Sequence, residues 1–267
     1  MALIEVDGLS IDFPLYHGNS RSLKKTVFAA ASGRLGEDQQ HRRVVRAVRD
    51  VSFRLKHGDR LGLVGRNGAG KTTLLRALAG IYEPVVGHLH VEGAVVALLD
   101  SGLGMNPELS GRENILLRGL TLGLDRAAIR AIEADVQEFA GLGDFLELPV
   151  RLYSTGMVVR LGFALATAIR PQVLIMDEWI LAGDADFMAR ARGRLEDMVR
   201  GAEILVLSSH SPEVIGEWCT RVMRMDEGRV VDDGPAEDVL RRYLGPSRDT
   251  APSVPDTMPG AAADAAA

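Results

Sequence analysis

Short apolar runs mark the first hundred residues. Ile4 to Val6, Val51 to Leu55 and Leu61 to Val64 predict strands, with turn residues His57-Gly58-Asp59 between the last two. Leu74, Leu75 and Leu78 then fall at helical spacing until Gly80 ends the turn. His88 to Val91 and Ala94 to Leu99 predict two further strands, and Glu92-Gly93 between them reads as a hairpin turn. From Arg112 to about Leu148 the period lengthens, with Ala127, Ile129, Ile132, Val136 and Phe139 on one helical face. Strand patterns resume at Val173 to Met176 and Ile204 to Leu207, each ending against polar residues. Val222 to Met225 and Arg229 to Val231 predict a hairpin about Asp226-Glu227-Gly228, and Ala236 to Tyr243 a short helix.

Strands alternating with helices predict an α/β fold whose ligands collect at the C-terminal ends of the strands. A helical subdomain, about residues 105–160, is inserted in it, and a second insertion, about 17–43, separates the first two strands. Residues 246–267 are rich in Pro, Ala, Ser and Asp and predict a disordered tail.

Between the strand Leu61 to Val64 and the helix of Leu74 lies Gly65-Arg66-Asn67-Gly68-Ala69-Gly70-Lys71-Thr72, a complete G-x-x-x-x-G-K-[ST] loop followed by Thr73. Strand before and helix after are the context a P-loop requires. Glycines let backbone N–H groups converge on phosphate oxygens. The helix N-terminus, Lys71 and a Mg²⁺ on the Thr72 hydroxyl offset the negative charge. The expected ligand is therefore a nucleoside triphosphate, ATP, with Mg²⁺. A Gly-rich turn with a surface lysine is the plain alternative, and the flanking elements argue against it.

Composition narrows the function classes. With 267 residues, 46% of them hydrophobic, the chain can bury a full core. Its net charge of -5, from 31 basic and 36 acidic residues, lacks the field of a general nucleic-acid binder, so no nucleic acid is expected as a partner. Cys219 is the only cysteine, so no intrachain disulfide forms and a reducing compartment is expected. No apolar run approaches 18 residues, and Met1 to Asp7 lacks the regions of a signal peptide.

Three further groups carry chemistry. The strand Val173 to Met176 runs into Asp177-Glu178, and adjacent strand residues point to opposite faces, so the two carboxylates can take different roles. Asp177 is placed to hold the Mg²⁺ shell and Glu178 to polarise the water that attacks the γ-phosphate; a solvated acidic turn is the bland reading. His210 follows Ser208-Ser209 at the end of another strand, where an imidazole can donate to a γ-phosphate. By itself a lone histidine is more often structural. Tyr153-Ser154-Thr155-Gly156-Met157 opens an apolar helix with Ser154 as N-cap, an exposed helix start suited to an anion and, taken alone, an ordinary one.

Taken in order, Gly65 to Thr72, Ser154 to Met157, Asp177-Glu178, Gly183-Asp184 and His210 resemble the ATP-binding subunit of ABC transporters over about residues 3–235. The resemblance implies a P-loop NTPase fold with a RecA-like core sheet, an antiparallel β lobe and an α-helical subdomain, so that residues 1–245 form one ATPase domain. It also implies a homodimer in which ATP on one P-loop is closed off by Ser154, Thr155, Gly156 and Met157 of the other copy, with the Asp184 loop at the interface. A separate membrane permease, and a place on the cytoplasmic face of the inner membrane through it, follow from the same likeness. The Tyr-Ser-Thr-Gly-Met sequence, the segment Leu98 to Asn114, the Leu181-Ala182-Gly183-Asp184 run and the 17–43 insertion are similar to the ATPases of O-antigen, capsule and teichoic-acid exporters, the Wzt type.

The chain departs from that pattern in places. The usual Q-loop glutamine, a Mg²⁺ and water contact, is replaced by Asp100 or Ser101. The adenine-stacking aromatic is Phe13, with Tyr16 as second choice. Arg21, Lys24, Lys25, Arg34, Arg42 and Arg43 make the insertion basic; it reads either as a contact with anionic lipid or the permease, or as a solvated loop. Two other readings keep the P-loop: a soluble ABC-type ATPase uncoupled from transport, and a P-loop kinase acting on a small molecule, which has no use for Ser154 or His210.

Overall fold

A computed structural model describes residues 1–14, 35–37 (backbone), 43–99, 104–177 and 185–245. Tyr16, most of the 17–43 insertion, Asp100, Ser101, Glu178, Asp184 and the 246–267 tail lie outside the described residues.

Among the described residues, ten strands form two sheets. β1 (Leu3–Pro14), β2 (Leu35–Glu37), β3 (Arg43–Lys56) and β5 (Val86–Glu92) make an antiparallel sheet in the order β2-β3-β1-β5. β4 (Arg60–Val64), β6 (Val95–Leu98), β7 (Val173–Asp177), β8 (Ile204–Ser208), β9 (Arg221–Asp226) and β10 (Arg229–Pro235) make the second, in the order β10-β9-β4-β8-β7-β6. Its pairings are parallel except for the β9-β10 hairpin. Glu227 and Gly228 in that hairpin both have positive φ, 46° and 82°, as the tight two-residue turn demands.

Strand parity explains how the layers stack. In β7, Val173 and Ile175 enter the core shared with the antiparallel sheet and α1 (Lys71–Leu78), while Leu174 and Met176 enter the core on the other face. Ile204 and Val206 of β8 divide from Leu205 and Leu207 in the same way. Both faces are covered, so these strands read as unbroken apolar runs rather than alternating ones. The second core is closed by α5 (Ala185–Gly201), α6 (Pro212–Trp218) and α7 (Ala236–Leu244), with Phe187, Ile215 and Val239 turned inward.

A third core belongs to α2 (Gly111–Thr121), α3 (Arg126–Ala140) and the first part of α4 (Thr155–Thr167), where Ile115, Val136, Leu146 and Leu161 pack together. Ser110 and Glu113 form a reciprocal capping box that starts α2. α4 bridges two cores, since its Phe163 and Ala166 face the main sheet and its Leu161, Ala164 and Leu165 the helical cluster. Arg194 of α5 secures the joint: it pairs with Asp135, donates to the Thr167 carbonyl at 3.3 Å and lies over the Phe139 ring.

One sequence expectation is corrected. Glu92-Gly93 is not a hairpin turn, because β5 pairs with β1 in the antiparallel sheet whereas β6 pairs with β7 in the parallel one. The Gly93 φ of 113° turns the chain from one sheet to the other. Strand lengths differ too: β1 and β3 run to 12 and 14 residues because they pair along nearly their whole length.

Candidate functional site

The parallel strands end in register. Leu63 of β4 lies beside Ser208 of β8, and Ser208 beside Asp177 of β7. The loop after β4, the carboxylate ending β7 and the turn after β8 therefore share one edge, the place where open α/β sheets bind ligands.

The loop itself is a cradle only glycine can build. Gly65 has φ 145° and Gly70 φ 108°. A Cβ on Gly65 would sit 2.2 Å from the Met225 carbonyl oxygen, and one on Gly70 2.5 Å from that of Ala47. Surrounding backbone pins the loop: the Gly228 N–H donates to Ala69 at 2.9 Å, and the Arg49 N–H to Gly228 at 2.8 Å. Arg66, Asn67 and Gly68 are exposed at its tip. Lys71 is buried, and its ammonium donates to the Gly65 carbonyl at 2.7 Å and the Arg66 carbonyl at 3.4 Å. Its cation is thus held inside the ring of loop carbonyls and N–H groups.

Asp177 keeps the parity of Val173 and Ile175, so it emerges on the face that α1 covers. There the Thr72 hydroxyl donates to Asp177 Oδ2 at 2.5 Å. A hydroxyl and a carboxylate in contact beside the glycine loop are an oxygen donor set suited to a hard divalent cation, and Mg²⁺ fits it. Among the described residues no group of three His, Cys, Asp or Glu could hold a metal by itself. A cation here would rely on Thr72, Asp177, phosphate oxygens and water.

His210 is exposed two residues beyond β8. Its turn is fixed on both sides: the Ser211 N–H donates to Ser209 Oγ at 3.1 Å, and Ser211 Oγ caps α6 by accepting from the Val214 N–H at 3.4 Å. Phe13, at the end of β1, has its ring edge against Tyr82, with centroids 5.2 Å apart, and keeps 36% of its surface exposed. It pairs with Val45, two residues from the Ala47 carbonyl that crowds Gly70.

Ser154, Thr155 and Gly156 stand apart. All three are exposed, and Ser154 Oγ accepts from the Met157 N–H, at 3.3 Å, as the N-cap of α4. No hydrogen bond or ion pair joins them to the P-loop or Asp177 among the described residues. Glu178, Asp184, Asp100 and Ser101 lie outside the described residues. Cys219 is buried, and desolvation pushes its thiol up to about 12, which removes it as a nucleophile.

Asn114 was not singled out by the sequence. Buried in α2, it donates through Nδ2 to the carbonyls of Asn106, Leu109 and Ser110, and accepts from the Asn106 N–H at 2.8 Å. One side chain thereby holds the loop that leads into α2. The spacing of apolar residues from Arg112 onward says nothing about which inward residue takes up those carbonyls.

A family profile described as ABC transporter matches residues 48–181. The chain is 42% identical over 226 residues to the O-antigen export system ATP-binding protein RfbE of Yersinia enterocolitica, covering 84% of this chain and 95% of that protein. It is 33% identical over 213 residues to the teichoic acids export ATP-binding protein TagH of Lactococcus lactis, covering 80% of this chain but 46% of that longer relative. Among solved structures, an ATP-binding subunit of an ABC transporter superposes with a TM-score of 0.65 at 23% identity, over 91% of this chain and 93% of that one.

Proposed function

The chain belongs to the ABC transporter family, and we propose that it binds and hydrolyses ATP to drive export of a lipid-linked polysaccharide through a separate membrane permease. The observation that carries the ATPase half is the contact of Thr72 with Asp177 beside the Gly65 to Gly70 cradle. Likeness to an O-antigen exporter over nearly that protein's whole length supports the cargo class.

In this reading Lys71 and the loop N–H groups hold the phosphates, and Phe13 offers its ring to the base. Thr72 and Asp177 would hold Mg²⁺, which when bound neutralises charge on the phosphate oxygens. Glu178 orients the attacking water as general base, and His210 donates to the γ-phosphate. Ser154 and Gly156 serve a second copy's nucleotide, which accounts for an exposed helix start with no hydrogen bond or ion pair to its own P-loop among the described residues. Closing such a homodimer moves the helical cluster, and hydrolysis resets it. The chain would then sit at the cytoplasmic face of the membrane through its permease. Among the described residues no helix is long and apolar enough to cross a membrane. The basic 21–43 segment is read either as a contact with anionic lipid or the permease, or as a solvated loop.

The test is made in cells and in vitro together. Without the chain, lipid-linked polymer is expected to accumulate inside the cell; the native chain restores surface polymer, and Lys71→Ala or Glu178→Gln does not. In vitro Glu178→Gln should keep ATP bound while turnover falls about 10²- to 10⁴-fold. Surface polymer at native levels without the chain would remove the export reading.

A further inference from the structure

The residue before the Ser154 helix start reaches back to the first turn of α2. Tyr153 is half-buried, and its hydroxyl donates to the Phe145 carbonyl at 2.6 Å. A Cβ on Gly111, the first residue of α2, would lie 2.5 Å from that hydroxyl oxygen, with Leu146 Cδ2 next at 2.9 Å. Gly111 is not among the glycines with positive φ, so what calls for glycine there is the close approach of the tyrosine. Desolvation raises the Tyr153 hydroxyl above its ordinary value, opposed by a hydrogen bond from the Gly111 N–H. One oxygen thus accepts from α2 and donates to the turn Gly143–Glu147. The reciprocal box of Ser110 and Glu113 leaves the Gly111 N–H among the orphan donors of the helix start, and the tyrosine takes it up.

The backbone around this bond is stitched in the same sense. The Val150 N–H donates to the Leu109 carbonyl and the Arg151 N–H to the Pro107 carbonyl, both at 2.9 Å, and Arg151 pairs with Glu108 at 3.2 Å. The Tyr153 N–H donates in turn to the Val150 carbonyl at 2.9 Å. Ser154, Thr155 and Gly156 follow at once and are exposed. The Tyr153 hydroxyl therefore ties α2 to the residue immediately before that exposed start.

Resting on the reading that Ser154 and Gly156 serve a second copy's nucleotide, we infer that Tyr153 is a positioning residue for that site: its hydroxyl fixes the Ser154 helix start against α2, so that the start meets the partner's phosphates when two copies close. Donors aimed at a reacting phosphate must stand within about 0.5 Å of their productive places. A ring without the oxygen fills the same space but is free to slide past Gly111 and Leu146. Tyr153 touches no nucleotide in this scheme; it acts through Ser154.

Tyr153→Phe keeps the ring and removes the oxygen. It is expected to lower kcat for ATP hydrolysis at least about ten-fold while the affinity of the isolated chain for a fluorescent ATP analogue stays native. A hydroxyl that merely caps α2 would lower the melting temperature and leave kcat unchanged well below it. Equal mixing with Lys71→Ala shows which site the hydroxyl serves. The mixed dimer joins the native P-loop of the Tyr153→Phe chain to the native helix start of the Lys71→Ala chain, so about a quarter of native hydrolysis should return if the sites act independently. If the hydroxyl served its own chain's P-loop, a ten-fold loss would leave the mixture at about a twentieth of native. Native kcat in Tyr153→Phe, or a mixture near a twentieth, overturns the role of Tyr153 alone. A Glu178→Gln chain that stays monomeric with ATP overturns the two-copy reading itself, whatever Tyr153→Phe does.

Discussion

Thr72 and Asp177, 105 residues apart in the chain, meet through a 2.5 Å hydrogen bond from the threonine hydroxyl to the aspartate Oδ2. Two independent features of the sequence produce the contact. The P-loop places Thr72 in the first turn of α1, and the parity of β7 turns Asp177 toward the face α1 covers. Neither position alone makes a cation site; the sheet brings the two oxygens together.

Replacing either oxygen should therefore weaken the metal more than the nucleotide. Asp177→Asn is expected to lower Mg²⁺ affinity and Mg²⁺-dependent ATP hydrolysis by at least about 10- to 100-fold, with Thr72→Val in the same direction. Binding of a fluorescent ATP analogue without Mg²⁺ should change little. Titration with Mn²⁺ in the presence of nucleotide measures the first effect, and native affinity in Asp177→Asn would remove this pair as the metal site.

Gly65 and Gly70 carry a steric demand that a reader of the motif alone cannot size. Both have positive φ, and a Cβ at either would strike a backbone carbonyl that belongs to β9 or β3 rather than to the loop. Gly65→Ala should destabilise the fold by at least about 1–3 kcal/mol from the backbone conformation alone and abolish nucleotide binding. Gly68, exposed at the tip with a φ of 82°, should tolerate the same change better than Gly65, whose Cβ would meet the Met225 carbonyl oxygen. Thermal unfolding of the three alanine variants ranks them.

The legible parts of the molecule are those whose physics is local. A strand, a glycine-rich turn and a helix succeed one another within residues 61–78, so the P-loop could be placed from contiguous residues. Apolar blocks ending in Asp177 or Ser208-Ser209-His210 likewise announced strand ends. Glu92-Gly93 misled because a turn signal does not disclose that the strands on its two sides join different sheets. Asn114 escaped for a related reason. Its side chain makes four local hydrogen bonds, and only the folding of the loop from Asn106 to Ser110 back onto α2 reveals them.

Acid should loosen the joint between the two sheets. Glu203, after α5, accepts from the Ala2 N–H at 2.7 Å, the Gln172 amide at 2.8 Å and His57 Nδ1 at 3.1 Å, and the first of these chiefly holds its carboxyl at about 2, below the ordinary 4.5. A depressed carboxyl stabilises the fold fully above its unfolded value and loses that contribution as pH falls through the folded one. The difference in melting temperature between the native chain and Glu203→Gln should hold steady above about pH 5 and shrink between pH 4.5 and 2. A gap that widens on acidification would contradict the assignment.

Among the described residues Ser154 and Gly156 make no hydrogen bond or ion pair with the P-loop of their own chain, and the sharpest prediction asks which copy completes which site. Lys71→Ala removes the loop cation and Gly156→Asp sets a carboxylate where the helix start would meet phosphate, so each homodimer should be inactive. In a mixed dimer, one composite site joins the native P-loop of the Gly156→Asp chain to the native helix start of the Lys71→Ala chain. The other site carries both lesions. Equal mixing with free exchange makes half the dimers mixed, each with one intact site, so about a quarter of native ATP hydrolysis should return if the sites act independently. A helix start serving its own chain's nucleotide would leave every site damaged and the mixture as inactive as its parts.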